Sequence, residues 1–218
     1  MARTVIAFFS HAQENYNVGF IKEGNTFKLA KILQEILAQK GVDADLFEIT
    51  PEEGYPADYN ECISKAKKEL SSKARPAIKA DLDISGYDTI YLGYPNWWGD
   101  LPMCLYSFLE KHDFTGKTIV PFCTHEGSGL GSTESKLKKA LPSASFKSGL
   151  AVQGIIAQQD EKRTRSLVEG CVVNRLDNFV VLLRQFIVGI DVLNHQVLFH
   201  AKEDSFFEGV QRDEIALL

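Results

Sequence analysis

The chain has no excess of positive charge, no cysteine pair at redox or metal spacing and no apolar run that would cross a bilayer. Each absence removes a class of function. Its 218 residues carry a formal net charge of −5, so no basic stripe is offered to nucleic acid. Cys62, Cys104, Cys123 and Cys171 are widely spaced and form no C-x-x-C, which favours a reducing compartment over a disulfide scaffold or a zinc site. The apolar run from Phe179 to Leu193 is broken by Arg184, Gln185 and Asp191 and is too short and too charged to span a membrane. The opening "RTVIAFFS" lacks a small-residue cleavage pattern and reads as a first strand, not a signal peptide. The expectation is a cytoplasmic protein without a metal.

Several catalytic signatures are missing too. No G-x-x-x-x-G-K-[ST] is present, which excludes a nucleoside triphosphate P-loop, and no G-x-G-x-x-G, which removes the dinucleotide fingerprint. "HEGSG" is not H-E-x-x-H, and "GSGLG" has glycine where a nucleophile elbow needs serine.

What remains is an ordinary globular composition, 44% apolar and 24% charged, in which strand and helix signals alternate. "TVIAFFS" (Thr4 to Ser10), "DADLFEI" (Asp43 to Ile49), "DTIYLGYP" (Asp88 to Pro95), "KTIVPFCT" (Lys117 to Thr124) and "SFKSGLAVQG" (Ser145 to Gly154) read as five strands. Between them, "NTFKLAKILQEILAQKG" has one apolar helical face and a closing Gly41. An amphipathic helix ends near Ser72, another follows Leu101, and "STESKLKKAL" opens with a serine cap at Ser132. Strict alternation predicts a three-layer, doubly wound α/β fold around a five-stranded parallel sheet; the pattern alone does not order the strands. Residues 1–157 are taken as the domain and 158–218 as an extension with room for the last helix of the fold. The stretch from Leu176 to Ile187 predicts a helix with a wide apolar face.

In such a sheet the loops after successive strands share the carboxyl edge, and three of these loops stand out. The first, Ser10 to Lys28, ends at a helix start with Gly24, Asn25 and Thr26. Unpaired N–H groups there hold a phosphate without lysine or arginine; the plain alternative is that Asn25 or Thr26 only caps the helix. The second, "YPNWWGDLP", sets Trp97 and Trp98 side by side past a strand end. They form either a wall for a flat ligand or core packing. The third, "THEGSGLGSTE", has Gly127, Gly129 and Gly131 in five residues, so its backbone can approach a ligand closely. An anion cradle, an aromatic wall and a glycine-rich wall at one edge suit a planar heterocycle with one phosphate. Flavin mononucleotide (FMN) meets those demands.

"YPNWWGDLP", "IVPFCTHEGSGLGSTES", "NTFKLAKIL" and "YNECISKAKKEL" together resemble the flavodoxin family, more closely its short stand-alone bacterial members. The resemblance runs from about Arg3 to Gly154. It implies strand order 2-1-3-4-5, with FMN at the switch point between strands one and three. It places the phosphate against Ser10, His11, Asn25 and Thr26, and the ring between Pro95–Gly99 and Thr124–Gly129. Asn96, Glu126, Gly127 and Gly129 fall in these walls, with backbone amides near Asn96, Gly127 and Gly129 on the ring edge. Trp97 or Trp98 supplies the stacking face, and Asp100 and Glu126 lie near the ring. Two departures stand out. Residues 11–23 lengthen the compact family phosphate loop, T-x-T-G-N-T, so that Tyr16 and Asn17 fold over the cofactor. The tail also continues well past strand five.

The function this implies is electron transfer through non-covalently bound FMN, with a redox protein as partner. The alternative is an NAD(P)H-dependent FMN oxidoreductase acting on quinones or similar acceptors. There His125, the one candidate catalytic residue, would line a nicotinamide pocket with Tyr94 or Tyr16. A third reading is an FMN-free interaction module that kept the fold.

Overall fold

A computed structural model describes residues 3–172; the sequence-predicted helix at Leu176–Ile187 and most of the 158–218 extension lie outside the described residues. The main sheet is built from β1 (Thr4–Phe8), β4 (Ala44–Glu48), β5 (Thr89–Pro95), β6 (Thr118–His125), β7 (Ser145–Phe146) and β8 (Leu150–Gln153). Its order is β4-β1-β5-β6, with β7 and β8 both pairing with β6 in parallel. Counting β7 and β8 as one interrupted fifth strand, this is the 2-1-3-4-5 order. The helices are α1 (Asn25–Gln39), α2 (Tyr59–Ser72), α3 (Met103–Leu109), α4 (Thr133–Ala140) and α5 (Gly154–Gln159), and residues 161–172 are also helical. Among the described residues no helix is long and apolar enough to cross a membrane.

The strands form because their residues are buried on both faces. All five residues of β1 are buried, as are Ile90 to Tyr94 in β5 and Ile119 to Thr124 in β6, the continuous apolar pattern of a covered parallel sheet. Val5 and Ala7 of β1, Ile90, Leu92 and Tyr94 of β5, and Ile119 and Cys123 of β6 share a core with Leu105 and Phe108 of α3 and Leu137 of α4. The opposite face carries a row set by register: Phe8 pairs with Gly93, and Gly93 with Phe122. Phe8 stacks on Phe27 of α1 with centroids 5.5 Å apart and planes 10° from parallel. A side chain on Gly93 would run into the Phe122 ring, so glycine is what lets two phenylalanines flank the central strand beneath α1.

Two features depart from the sequence reading. The fifth strand is broken at residues 147–149, where the Gly149 N–H turns to the Glu134 carboxylate (2.9 Å). The long first loop is not irregular: it folds as a hairpin of β2 (Gln13–Asn15) and β3 (Gly19–Ile21). Gln13, Asn17 and Gly19 adopt left-handed backbone angles in it. Gly41, with φ +76, ends α1 as expected, and the Val42 N–H returns to the Leu37 carbonyl (2.9 Å).

Gly93→Ala is expected to cost about 1–3 kcal/mol by overpacking, read by chemical denaturation. Adding Phe122→Leu, which removes the obstructing ring atoms, should recover part of that loss; a silent Gly93→Ala would disprove the packing account.

Candidate functional site

The ends of β1, β5 and β6 meet the N-terminus of α1 at one edge of the sheet. Gly24 occupies the N-cap and offers no side chain to it. A Cβ at Gly24 would collide with the Ser10 hydroxyl and the His11 backbone, so the chain after β1 presses against the helix start. Ser10 Oγ accepts the Phe27 N–H (3.0 Å) from this position. Neither Asn25 nor Thr26 caps the helix. Thr26 is buried with its hydroxyl on that of Thr124 (2.8 Å), tying α1 to the end of β6. The Asn25 and Thr26 N–H groups belong to the first turn, which no intrahelical acceptor reaches. Asn25 is only 8% exposed, yet its Oδ1 has no partner, nor has the buried His11 Nε2. Each such atom costs about 1–3 kcal/mol while unpaired.

The double-tryptophan loop is a two-residue hairpin turn. Trp97 and Asp100 exchange both backbone hydrogen bonds at 3.0 Å, and the two residues between them, Trp98 and Gly99, have φ of +53 and +72. Such a turn favours asparagine or aspartate followed by glycine; a tryptophan held there carries about 1–3 kcal/mol of backbone strain. The tryptophans therefore differ. Trp97 is half-buried and meets Phe9, His11 and Tyr55 edge to face, the last at 4.9 Å. Trp98 is 47% exposed, with the Lys67 ammonium 5.4 Å from its ring.

The strain at Trp98 persists because the turn is held from several sides. Asn96 accepts the Gly99 N–H (2.9 Å) and donates to the Gly129 carbonyl (2.7 Å). Ser132, placed at the N-cap of α4, gives its hydroxyl to the Gly99 carbonyl (2.6 Å) instead of capping the helix. Asp100 is buried, paired with Lys136 (2.7 Å), and accepts the Tyr106 hydroxyl (2.7 Å). It faces away from the cleft, so its charge is not available there.

The third loop spends much of its polarity on itself. The Gly127 N–H donates to His125 Nδ1 (2.9 Å), and the Asn96 N–H donates to the Thr124 carbonyl (2.8 Å). Those two amides are thus engaged within the protein, unlike the ring-edge donors that the family resemblance implies. Because Nδ1 accepts, the neutral His125 ring carries its proton on Nε2. Burial lowers the pKa of both His11 and His125 from the ordinary 6.5, leaving two neutral imidazoles at pH 7. Burial raises the Glu126 pKa, opposed by hydrogen bonds from Asn17 and from the Gly154 and Ile155 N–H groups. Tyr94 is fully buried and bonded to Thr133 (3.0 Å), so it lines no nicotinamide pocket.

Between these loops lies a cleft of about 200 Å³. Of the sequence-predicted residues, His11, Asn25, Pro95, Asn96, Trp97, Trp98, Thr124, His125 and Glu126 line it. Ser10, Thr26, Gly99, Gly127 and Gly129 are not among the lining residues. The rest of the lining comes from the first hairpin, where the sequence pointed to Tyr16 and Asn17 and only Tyr16 is among the lining residues, and from α2, which the sequence did not assign to the site. The first hairpin contributes Glu14, Asn15 and Tyr16, and α2 contributes Tyr59, Cys62, Ile63 and Ala66. The hairpin docks on α2: the Glu14 carboxylate accepts the Tyr59 N–H (2.9 Å), and Tyr16 stacks on Tyr59 at 6.1 Å. The Cys62 thiol is pushed up to about 11 by burial and is no nucleophile at neutral pH.

Fold and cleft together define a doubly wound α/β protein with a ligand site at the carboxyl edge of its parallel sheet. The comparisons make this specific. The family model described as Flavodoxin matches residues 16–167, and the chain belongs to the flavodoxin family. A provisionally described flavoprotein from Bacteroides eggerthii is 31% identical, with 78% of this chain and 97% of that one covered and a TM-score of 0.60. A Lactobacillus acidophilus flavoprotein in complex with FMN (21% identity, 71% and 95% covered, TM-score 0.54) shares the fold. So does oxidised flavodoxin 2 from Bacillus cereus (17% identity, 80% and 99% covered, TM-score 0.50). No curated protein matches the chain.

The histidines yield a test. Nitrogen NMR should show His125 as the Nε2–H tautomer at pH 7, and both His11 and His125 titrating below 6.5. Because the folded protein resists protonating them, they should lower its stability as pH falls below the unfolded value of about 6.5. Glu126 acts oppositely, favouring the fold as pH falls. A charged His125 at pH 7 would overturn the assignment.

Proposed function

We propose that the cleft binds FMN and that the protein transfers electrons through it. One observation carries the reading: an open helix N-terminus, flanked by the unpartnered polar atoms of Asn25 and His11, lies in the same cleft as the Trp97–Trp98 wall. The α1 dipole and the Asn25 and Thr26 N–H groups suit a phosphate; the His11 imidazole would recover a hydrogen bond by donating Nε2–H to it, whereas Asn25 Oδ1, an acceptor, suits a hydroxyl of the ligand rather than its phosphate. The enclosed volume is below the roughly 300–1,000 Å³ usual for ligand pockets, so a flavin ring would extend into the open mouth at Trp98. The likeness to a flavoprotein in complex with FMN supports the same cofactor.

FMN, when bound, supplies the redox chemistry. The protein positions it and sets its electrostatic surroundings. Neutral His11 and His125 provide no cation, and Glu126 lines the same cleft, so negative charge is not welcomed there. We infer a low reduction potential. Trp97 serves as a fixed wall and Trp98 as the stacking ring, since only Trp98 keeps a largely open face. No Lys or Arg is among the lining residues, which leaves the pyrophosphate of a nicotinamide dinucleotide without a cationic partner. We therefore favour a redox protein as the electron donor over NAD(P)H.

The visible spectrum of the purified protein, before and after addition of FMN, tests the cofactor. Flavin bands and a higher melting temperature are expected; a colourless protein indifferent to FMN would leave only an interaction module. Trp98→Ala should weaken FMN binding about tenfold, at about 1.4 kcal/mol for a lost stacking contact, with little effect on the fold. Trp97→Ala should instead lower stability by about 3 kcal/mol. Under air-free conditions NADPH alone should leave the flavin oxidised; rapid bleaching would transfer support to the oxidoreductase reading.

A further inference from the structure

Glu126 lines the cleft, yet its carboxylate is occupied by the protein itself. It accepts the Gly154 and Ile155 N–H groups at the start of α5 and the Asn17 side chain from the first hairpin. The α5 N-cap, Gln153, supplies no side-chain bond of its own. A Cβ at Gly154 would run into both Glu126 Oε1 and the Asn25 carboxamide, so the third loop, α1 and α5 close on one another at this carboxylate. The two backbone donors belong to the body of the fold. Asn17 does not: its hairpin is a two-stranded sheet separate from the main one, with mostly exposed strands. On one side that hairpin leans on α2 and the turn before it, the Glu14 N–H donating to the Ala57 carbonyl (3.3 Å) and the Glu14 carboxylate accepting the Tyr59 N–H (2.9 Å). On the other, Asn17 reaches Glu126. Between these ties, Glu14, Asn15 and Tyr16 line the cleft, while Asn17 itself does not.

We propose that residues 13–21 form a strap across the phosphate end of the cleft, that Glu126 is the positioning residue that latches it through Asn17, and that release of this latch gates FMN entry and exit. This rests on the FMN reading and adds to it what sets the rate of exchange. With the ring at the mouth, the phosphate must still pass the hairpin to reach the start of α1, beside the unpartnered atoms of His11 and Asn25. The walls differ in what they would give up to let it through. The tryptophan turn is fixed by Asn96, Ser132 and Asp100, and the central strands are buried. The hairpin is held by a few hydrogen bonds near solvent, and segments of that kind open first. A latch closed in both the empty and the loaded protein, and broken only in passage, slows both rates and leaves affinity nearly unchanged.

The test uses the full-length protein. Stopped-flow flavin fluorescence reads FMN association and dissociation separately, and hydrogen exchange on the FMN-free protein reads the Glu14 N–H. Asn17→Gly removes the side-chain donor, leaves the charge unchanged and suits the φ of +61 at this position. It should speed association, dissociation and Glu14 exchange each about fivefold, the equivalent of one ordinary hydrogen bond, with FMN affinity changed less than about twofold. In a Glu126→Ala background the same substitution should add nothing, because the latch is already gone; this comparison separates the latch from any loosening by glycine alone. Unchanged rates or exchange in Asn17→Gly, faster dissociation alone with affinity lost to match, or an equal effect of Asn17→Gly in both backgrounds overturns the proposal and leaves the FMN reading intact. Failure to take up FMN at all overturns both.

Discussion

The close approach of α1 to the sheet is the constraint on which the site depends, and it is set by a missing side chain. Gly93 lies between Phe8 and Phe122 in the register of the three central strands, and the Phe8 ring is stacked on Phe27 of α1. A Cβ at Gly93 would collide with the Phe122 ring. Gly24 repeats the device one layer up, where Ser10 and His11 meet the helix start. With both gaps closed by glycine, the positive end of α1 stands at the ends of β1 and β6. Interiors at crystal-like density leave no slack for a shift of even one methyl group.

Around that fixed point, the loops satisfy one another before any ligand arrives. Asn96 links the tryptophan turn to the third loop, Ser132 links it to α4, and Asp100 links it to α3 and α4 through Tyr106 and Lys136. A turn so over-determined can hold a tryptophan in a left-handed conformation, which a free loop would relax. Two buried polar atoms left unpartnered, His11 Nε2 and Asn25 Oδ1, lie where α1 begins. This division, with the walls satisfied and the floor unsatisfied, is that of a preorganised site. It also leaves the cleft without a cation. A negatively charged group finds a helix dipole and backbone N–H groups at one end, and two carboxylates elsewhere.

Much of this architecture was legible in the chain. The continuous apolar runs at Thr4–Ser10, Asp88–Pro95 and Lys117–Thr124 announced strands buried on both faces, and the three special loops followed from where those runs stop. The hairpin at residues 13–21 was not legible, because strands of three mostly exposed residues show no alternation and its left-handed positions at Gln13 and Asn17 use residues that also occur in plain loops. The part played by α2 was hidden for another reason. A stripe of Tyr59, Cys62, Ile63 and Ala66 has the same spacing whether it faces a core or a cleft, and only its neighbours decide which.

Local chemistry therefore determined the elements, their alternation and the residues able to hold a flat ligand with one phosphate, since period, turn residues and helix-start residues act over a few positions. The tertiary structure alone separated Trp97 from Trp98, turned Asp100 inward to Lys136 and brought Tyr16 and Tyr59 to the same opening. Those outcomes depend on contacts between segments tens of residues apart. Adjacent tryptophans are equivalent in a sequence and become different only when one is enclosed by Phe9, His11 and Tyr55 and the other is held at the tip of a turn.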